Sequence, residues 1–270
     1  MWQQLLRNCF DLHDCRSWLV LMVLCLSGMP SALAQGGPPM LTDDPGTPGP
    51  GVWEILFSYQ EHRTEQERLR DLPRIDFNYG LGDHIQLKFE TSWLLSTGPD
   101  GGSVQSGLDN SLIGVKWRFL DEDRHGLGMS VYPQLELKNS SGSVARGIAE
   151  PGPNLFLPVE VGHSFGKIKV AGEAGYQYFH GRKNESVFGV LGAIEVSEKL
   201  ELMAEVRSYS TKFLSGGDVI GNVGFRQEMG NKLMLIGSIG TGLSNRADST
   251  TFITYIGVQW FLGQKQKNKE

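Results

Sequence analysis

Apolar and polar side chains alternate throughout residues 73–95, on both sides of Gly82-Asp83. Successive side chains on a β-strand point to opposite faces, so this pattern predicts two strands joined by a tight turn. Aromatic residues at the ends of an apolar face, opposite a charged face, are typical of a barrel that crosses a bilayer around a hydrated interior. The apolar face comprises Ile75, Phe77, Tyr79, Leu81, Ile85, Leu87, Phe89 and Trp93, and the polar face Arg74, Asp76, Asn78, Gln86, Lys88, Glu90 and Ser92.

The same alternation recurs to the end of the chain. It predicts an all-β fold, an antiparallel up-and-down transmembrane β-barrel of about 12 strands, and an even number is usual for bacterial outer-membrane barrels. The strands are expected at 52–60, 73–81, 84–95, 110–120, 127–138, 155–165, 168–179, 186–196, 200–209, 219–227, 233–243 and 251–262.

The connections between these strands alternate in length, which distinguishes a membrane barrel from a soluble sandwich. The long connections, expected outside the cell, are 61–72, 96–109, 139–154, 180–185, 210–218 and 244–250. The short connections, expected in the periplasm, are 82–83, 121–126, 166–167, 197–199 and 228–232. Outer-membrane barrels have this asymmetry, with both termini on the periplasmic side.

The N-terminal region predicts export. Residues 1–34 combine a basic start, a short apolar run at 18–26 and the small-residue site Ala32-Leu33-Ala34, as a cleaved signal peptide does. Residues 35–51 are too rich in Pro and Gly for regular structure and are interpreted as a periplasmic leader. The barrel is expected to span 52–263, followed by a charged tail at 264–270.

Composition excludes several classes of function. The three cysteines (Cys9, Cys15 and Cys25) lie within the predicted signal peptide, so no disulfide framework or thiolate metal site is expected after it. A net charge of −5 without a basic cluster argues against a nucleic-acid partner. We also predict no cofactor and no metal site.

Side chains on the inward face of the predicted strands are densely charged. Because isolated buried charges are costly, the near balance of signs predicts ion pairs around a hydrated lumen without strong charge selectivity. Four apolar residues on the same face, Val187, Leu191, Ile236 and Tyr255, could guide a hydrophobic or aromatic solute or pack against a plug made by the leader. The charged lumen-lining candidates are Glu54, Arg74, Asp76, Lys88, Glu90, Lys116, Arg118, Glu136, Lys138, Glu160, Glu173, Arg207 and Arg226.

Barrel size limits the function. Eight strands leave an interior filled by side chains and 16 to 18 leave an open channel, so about twelve predict a narrow pore or a partly plugged conduit. A passive channel is the first hypothesis, and a structural or surface-interaction barrel with a closed lumen is the second. A lipid hydrolase is a distant third, because adjacent His163 and Ser164 point to opposite faces of one strand.

The partners expected of such a barrel are outer-membrane lipid, the barrel-assembly machinery and a small hydrophobic or aromatic solute. The chain continues past Trp260-Phe261-Leu262 with charged residues, whereas many outer-membrane barrels finish on an aromatic residue. The assembly machinery is therefore expected to recognise an internal strand or to tolerate this tail.

Two segments resemble a known family. Leu41-Thr42-Asp43-Asp44-Pro45, continuing to Trp53-Glu54-Ile55, resembles the N-terminal segment of bacterial barrels described as phenol-degradation (MetA-pathway) outer-membrane transporters. The stretch at 76–83, followed by Gln86-Leu87-Lys88, is similar to the first periplasmic hairpin of that family. The resemblance implies an outer-membrane barrel that passes aromatic or other hydrophobic compounds.

Overall fold

The computed structural model describes residues 37–98, 101–212, 217–244 and 249–263. The predicted signal peptide and the charged tail lie outside these ranges.

No helix in the described ranges is long and apolar enough to cross a membrane. The elements are β1 (Trp53–Arg63), β2 (Arg68–Leu81), β3 (Ile85–Thr97), β4 (Gln105–Leu108), β5 (Ser111–Leu120), α1 (Glu122–His125), β6 (Gly128–Val131), β7 (Gln134–Leu137), α2 (Ser141–Ala145), β8 (Asn154–Phe165), β9 (Ile168–Tyr178), β10 (Glu185–Ser197), β11 (Leu200–Ser210), β12 (Asp218–Glu228), β13 (Leu233–Gly242) and β14 (Phe252–Leu262).

The sheet closes on itself. Strand β1 pairs antiparallel with β2 on one side and with β14 on the other. Strands β4 and β5 both pair with β3, and β6 and β7 both lie between β5 and β8, so each of these pairs is one interrupted barrel strand. The result is a closed antiparallel barrel of 12 strands, which confirms the predicted fold class.

Backbone hydrogen bonds continue the pairing across both interruptions. The amide of Asp109 donates to the carbonyl oxygen of Ser92 at 3.0 Å, and that of Tyr132 donates to Pro158 at 3.1 Å. Pro133 has no N–H to donate, but its carbonyl oxygen accepts from Val115 at 3.1 Å. The two breaks therefore weaken the ladder locally without opening the wall.

The first two outer connections are shorter than predicted. Strands β1 and β2 run further outward, so only 64–67 connect them. Strand β3 extends to Thr97 and β4 lies within the predicted loop at 96–109, so only 98–104 connect β3 to β4. The predicted second strand begins only at Pro73, a residue that cannot donate a ladder hydrogen bond. In the structure the register shifts between Asp71 and Arg74, and this bulge accommodates Leu72-Pro73 within the strand.

Apolar side chains cover the outside of the barrel, whereas polar side chains fill much of the inside. In β1, Trp53 and Phe57 are 42% and 48% exposed, while the residues that follow them, Glu54 and Ser58, are only 4% and 7% exposed. A soluble protein has the reverse arrangement, whereas a barrel in lipid presents its apolar face outward.

Aromatic residues gather at both ends of this apolar surface. Trp53 packs on Tyr79 with ring centroids 4.7 Å apart at the end of the barrel that carries the short turns. Tyr176 packs on Tyr178 at 4.8 Å at the opposite end. We call these the turn end and the loop end, and short turns of such barrels face the periplasm.

Candidate functional site

The Pro/Gly-rich stretch that precedes β1 lies inside the barrel rather than outside it. We call its described part, residues 37–51, the internal segment. Met40, Thr42 and Thr47 are 4%, 0% and 3% exposed. The segment joins β1 at the turn end, where the Thr47 hydroxyl donates to the carbonyl oxygen of Asp83 at 2.9 Å. The sequence left open whether this stretch plugs the lumen, and in the structure it occupies much of it.

The tip of the internal segment folds back on itself halfway up the barrel. The amide of Gly37 donates to the carbonyl oxygen of Thr42 at 3.2 Å, and that of Met40 donates to Gly37 at 3.0 Å. These bonds satisfy backbone groups that have no ladder partner, as burial requires. The described part of the segment therefore begins as a compact turn inside the lumen and runs from there toward the turn end.

A wall carboxylate holds the tip. The two oxygens of Glu205 accept from the backbone amides of Leu41 and Thr42 at 2.8 and 2.7 Å. The Arg207 guanidinium donates to the carbonyl oxygen of Leu41. Charged groups make stronger hydrogen bonds than neutral ones, so these contacts fix the tip against β11.

Lys116 anchors the descending part of the segment. Its ammonium lies 2.9 Å from Asp43 Oδ1 and 3.2 Å from Glu160 Oε2, and its side chain is 1% exposed. It also lies 4.7 Å from the centre of the Tyr132 ring. Burial opposes ionisation of Asp43, but the charge and hydrogen bond of Lys116 outweigh it and lower the pKa of Asp43 below its usual value. The lysine thus ties the segment to two elements of the wall.

Arg226 and Ser238 hold the first residues of the segment. The guanidinium donates to the carbonyl oxygens of Gly37 and Pro38 at 3.2 and 2.8 Å. The Ser238 hydroxyl donates to that of Pro39 at 2.8 Å. Four wall residues, Ala171, Leu191, Ala193 and Met203, form a buried apolar cluster around Met40. Leu191, one of the predicted apolar lumen residues, therefore packs against the plug.

Inward-facing glycines make room for the segment. A Cβ added at Gly189 would lie 2.3 Å from the Thr42 hydroxyl and 3.1 Å from Thr42 Cβ. A Cβ at Gly224 would lie 3.1 Å from the end of Met40. Glycine at a strand interior weakens the strand, and it often marks a place where another backbone approaches closely.

Charged residues elsewhere on the wall also form ion pairs with one another. On β2 and β3, Arg74 lies 2.5 Å from Glu90, and Lys88 lies 2.7 Å from Asp76 and 3.0 Å from Glu90. On the opposite wall, Arg207 of β11 lies 2.7 Å from Glu173 of β9, across the intervening strand β10. Coulomb attraction is stronger in low-dielectric surroundings, and it offsets the cost of removing these charges from water.

The structure places most of the predicted lumen residues on the inner face. Lys138 differs: it is exposed and lies one residue beyond the end of β7, where the strand alternation no longer applies. Arg118 lies near the turn end and donates to the Asp83 carbonyl oxygen at 2.8 Å, while Glu136 accepts from Asn110 at 2.7 Å. The buried candidates are Glu54, Asp76, Glu90, Lys116, Glu160, Glu173, Arg207, Arg226, Val187, Leu191, Ile236 and Tyr255, and the half-buried ones are Arg74, Lys88, Arg118 and Glu136.

In the described part of the barrel, adjacent cavities lie beside the internal segment at three levels. A chamber of about 350 Å³ lies between the segment tip and the wall. It shares Leu41, Gln60 and Tyr209 with a vestibule of about 610 Å³ at the loop end. It shares Asp43 and Lys88 with a constriction of about 30 Å³ toward the turn end. The free space therefore narrows from the vestibule through the chamber to the constriction.

Neutral lining residues of the chamber were missed by the sequence analysis. Gln60, Gln134, Gln177 and Phe156 line it beside the charged candidates. Their inward orientation follows the strand alternation, but the analysis selected charged side chains and a few apolar ones. The sequence alone does not give the strand register, and it is the register that brings these four residues to the same height in the barrel.

The structure gives no support for a nucleophile–base pair at His163 and Ser164. Both contact Glu122, with His163 Nδ1 at 3.3 Å and the Ser164 hydroxyl at 3.3 Å. A hydroxyl–imidazole contact does exist between Thr250 and His62, at 2.8 Å. The Thr250 hydroxyl, however, donates to Asp218 at 2.7 Å, so its proton is directed to the carboxylate and not to the imidazole.

Solved structures with a similar fold are outer-membrane proteins. An outer membrane channel from Pseudomonas putida F1 superposes with a TM-score of 0.63 at 12% identity, covering 87% of this chain and 100% of that one. The NanC porin gives 0.53 at 9% identity, covering 78% and 99%, and the KdgM porin 0.52 at 10%, covering 76% and 98%. No family model and no curated protein matches the sequence. At these identities the likeness shows a shared fold, an outer-membrane type of antiparallel β-barrel.

Proposed function

We propose that this protein is a passive, porin-like channel for small molecules in the outer membrane of a Gram-negative bacterium. The observation that carries the proposal is the succession of vestibule, chamber and constriction inside a closed barrel. The apolar exterior supports contact with outer-membrane lipid, and the barrel-assembly machinery is the partner that would insert it.

The internal segment gives the proposed channel its small bore. It occupies lumen that a bare barrel of 12 strands would leave free, and the narrowest level lies beside Asp43 of the segment. Solutes would move down their own concentration gradient. Aromatic or hydrophobic compounds are the finer part of the proposal, supported by the rings of Tyr255 and Phe156 in the chamber and by the family resemblance of the segment.

Single-channel recording of the purified protein in planar lipid bilayers tests this function. We expect discrete current steps of low conductance from protein that also shows heat-modifiable migration, the mark of a folded barrel. Heat-modifiable protein that leaves the bilayer silent would contradict the proposal and favour the alternative, a structural or surface-interaction barrel with a closed lumen.

A further inference from the structure

Aromatic rings and side-chain amides face each other across the chamber. In the register of β7, β8 and β9, Gln134 pairs with Phe156, and Phe156 pairs with Gln177. On β1 and β14, Gln60 pairs directly with Tyr255. Directly paired residues in a sheet have neighbouring side chains on the same face. In the strand order these two groups lie on opposite walls, and all five residues line the chamber.

The amide groups of the chamber are available for a solute. Within the described part of the chain, the side chains of Gln60, Gln134 and Gln177 make no hydrogen bond to protein, and each is half-buried. A primary amide carries two donors and one acceptor, so it can bind hydroxyl, carbonyl or amide groups. Leu41 of the internal segment and Ile253 of β14 add apolar surface beside the rings.

The charged groups of the chamber, in contrast, are already paired. Arg74 and Lys88 share Glu90, at 2.5 and 3.0 Å. Arg207 is paired with Glu173 at 2.7 Å, and Asp43 of the segment with Lys116 at 2.9 Å. A charged solute would lose hydration on entering and would have to compete with one of these pairs, which is costly where water is scarce.

We propose that the chamber binds a small, uncharged amphipathic solute, whose apolar body lies between the rings and whose polar groups bond the glutamine amides. The inference rests on the proposed channel function and specifies the class of solute it passes. A volume of about 350 Å³ suits a body of one six-membered ring with a short substituent.

Three probes of matched size separate charge from shape: cyclohexanecarboxamide, cyclohexanecarboxylate and cyclohexylmethylammonium. Each is added to the vestibule side of single channels, and the concentration that halves the current is measured. We expect the carboxamide to block the current saturably, at a concentration about tenfold lower than that of either charged probe. The charged probes need a higher concentration because each would place an unpaired charge in the chamber, which is costly.

Substitutions locate the site. In Gln60→Leu and Gln177→Leu channels, the blocking concentration of the carboxamide should rise about tenfold, because each change removes hydrogen bonds to the solute. Gln66→Leu is the matched control, since Gln66 is exposed in the connection between β1 and β2 and lines none of the three cavities. Its blocking concentration should equal that of the unmodified channel.

Two results would overturn the inference in a conducting channel. One is equal or tighter block by a charged probe, and the other is unchanged block in both glutamine variants. If the folded protein carries no current across the bilayer, the channel proposal itself fails. The binding site can then be tested separately, by thermal unfolding of the folded barrel in detergent. A rise in Tm with the carboxamide that is lost in Gln60→Leu would support the site, and no rise would contradict it.

Discussion

Lys116 joins the internal segment to the barrel wall through one buried ammonium group. Its contacts with Asp43 and Glu160 mean that Lys116→Met leaves one buried and one half-buried carboxylate without their cation. Loss of one partner from a buried pair costs about 3–5 kcal/mol, so we expect the segment to leave the wall. Single channels should then show a larger conductance with frequent transitions, and heat-modifiable migration should be lost at a lower temperature.

A turn lysine provides the comparison for this substitution. Lys199 is exposed between β10 and β11, so Lys199→Met removes the same charge without touching the segment. It should leave both conductance and thermal stability unchanged. If Lys116→Met also conducts like the unmodified channel, the lysine does not hold the segment in the lumen.

The internal segment is an element that can be fixed in place by a disulfide. The Cβ of a residue at position 189 would lie 3.1 Å from Thr42 Cβ, a few tenths of an ångström from the usual range of about 3.5–4.5 Å. In the Thr42→Cys/Gly189→Cys variant, oxidation should hold the segment against the wall and abolish the transitions between conductance levels that we expect its detachment to produce, and a reductant should restore them. The sequence has cysteines only at positions 9, 15 and 25, within the predicted signal peptide.

The single variants Thr42→Cys and Gly189→Cys control for the substitutions themselves. Neither can form the internal disulfide, so neither should respond to reductant. Transitions that persist in the oxidised double variant would show that another element, such as an outer loop, produces them.

The strands could be predicted from sequence to a much greater extent than the internal segment. Alternation of lipid-facing and lumen-facing side chains repeats at every barrel strand, which is why the number of strands is correct. Residues 37–51 have no such period, and a Pro/Gly-rich composition indicates irregular structure without indicating where it lies. The predicted start of the second strand at Pro73 was wrong, because β2 begins at Arg68 and a bulge, which a two-residue period does not reveal, accommodates the proline within it.

The same limit applies to the chamber. The charged residues of its wall were predicted because charge alternates with apolar residues along each strand. The row of Gln134, Phe156 and Gln177 depends on the pairing of three separate strands. Pairing register is set by turns and bulges that shift by single residues, so the level at which residues meet needs the structure.

For the molecule as a whole, the apolar exterior predicts that a charged residue on the outer surface of the barrel lowers its stability. Val190 is 61% exposed near the middle of β10. We expect Val190→Lys to lower the free energy of unfolding in lipid vesicles by about 2–4 kcal/mol, because the ammonium would lie at the bilayer midplane. The measurement is the denaturant midpoint of the barrel folded into vesicles.

A second exposed valine, outside the barrel strands, provides the control for Val190→Lys. It separates the cost of placing a charge in lipid from the cost of losing a valine side chain. Val104 is 55% exposed in the connection before β4, where the loop end meets water. Val104→Lys should change the unfolding midpoint little. Equal losses at both positions would argue against a bilayer around the barrel.

The position of the internal segment in the chain bears on how the barrel assembles. The segment is joined directly to β1, and β1 forms the seam with β14, the strand farthest from it in sequence. Its anchors lie on strands that are synthesised later, among them Lys116, Glu205 and Arg226. Filling of the lumen therefore waits for β5, β11 and β12, as closure of the cylinder waits for β14, and a barrel that closed without its segment inside would be a misassembled product.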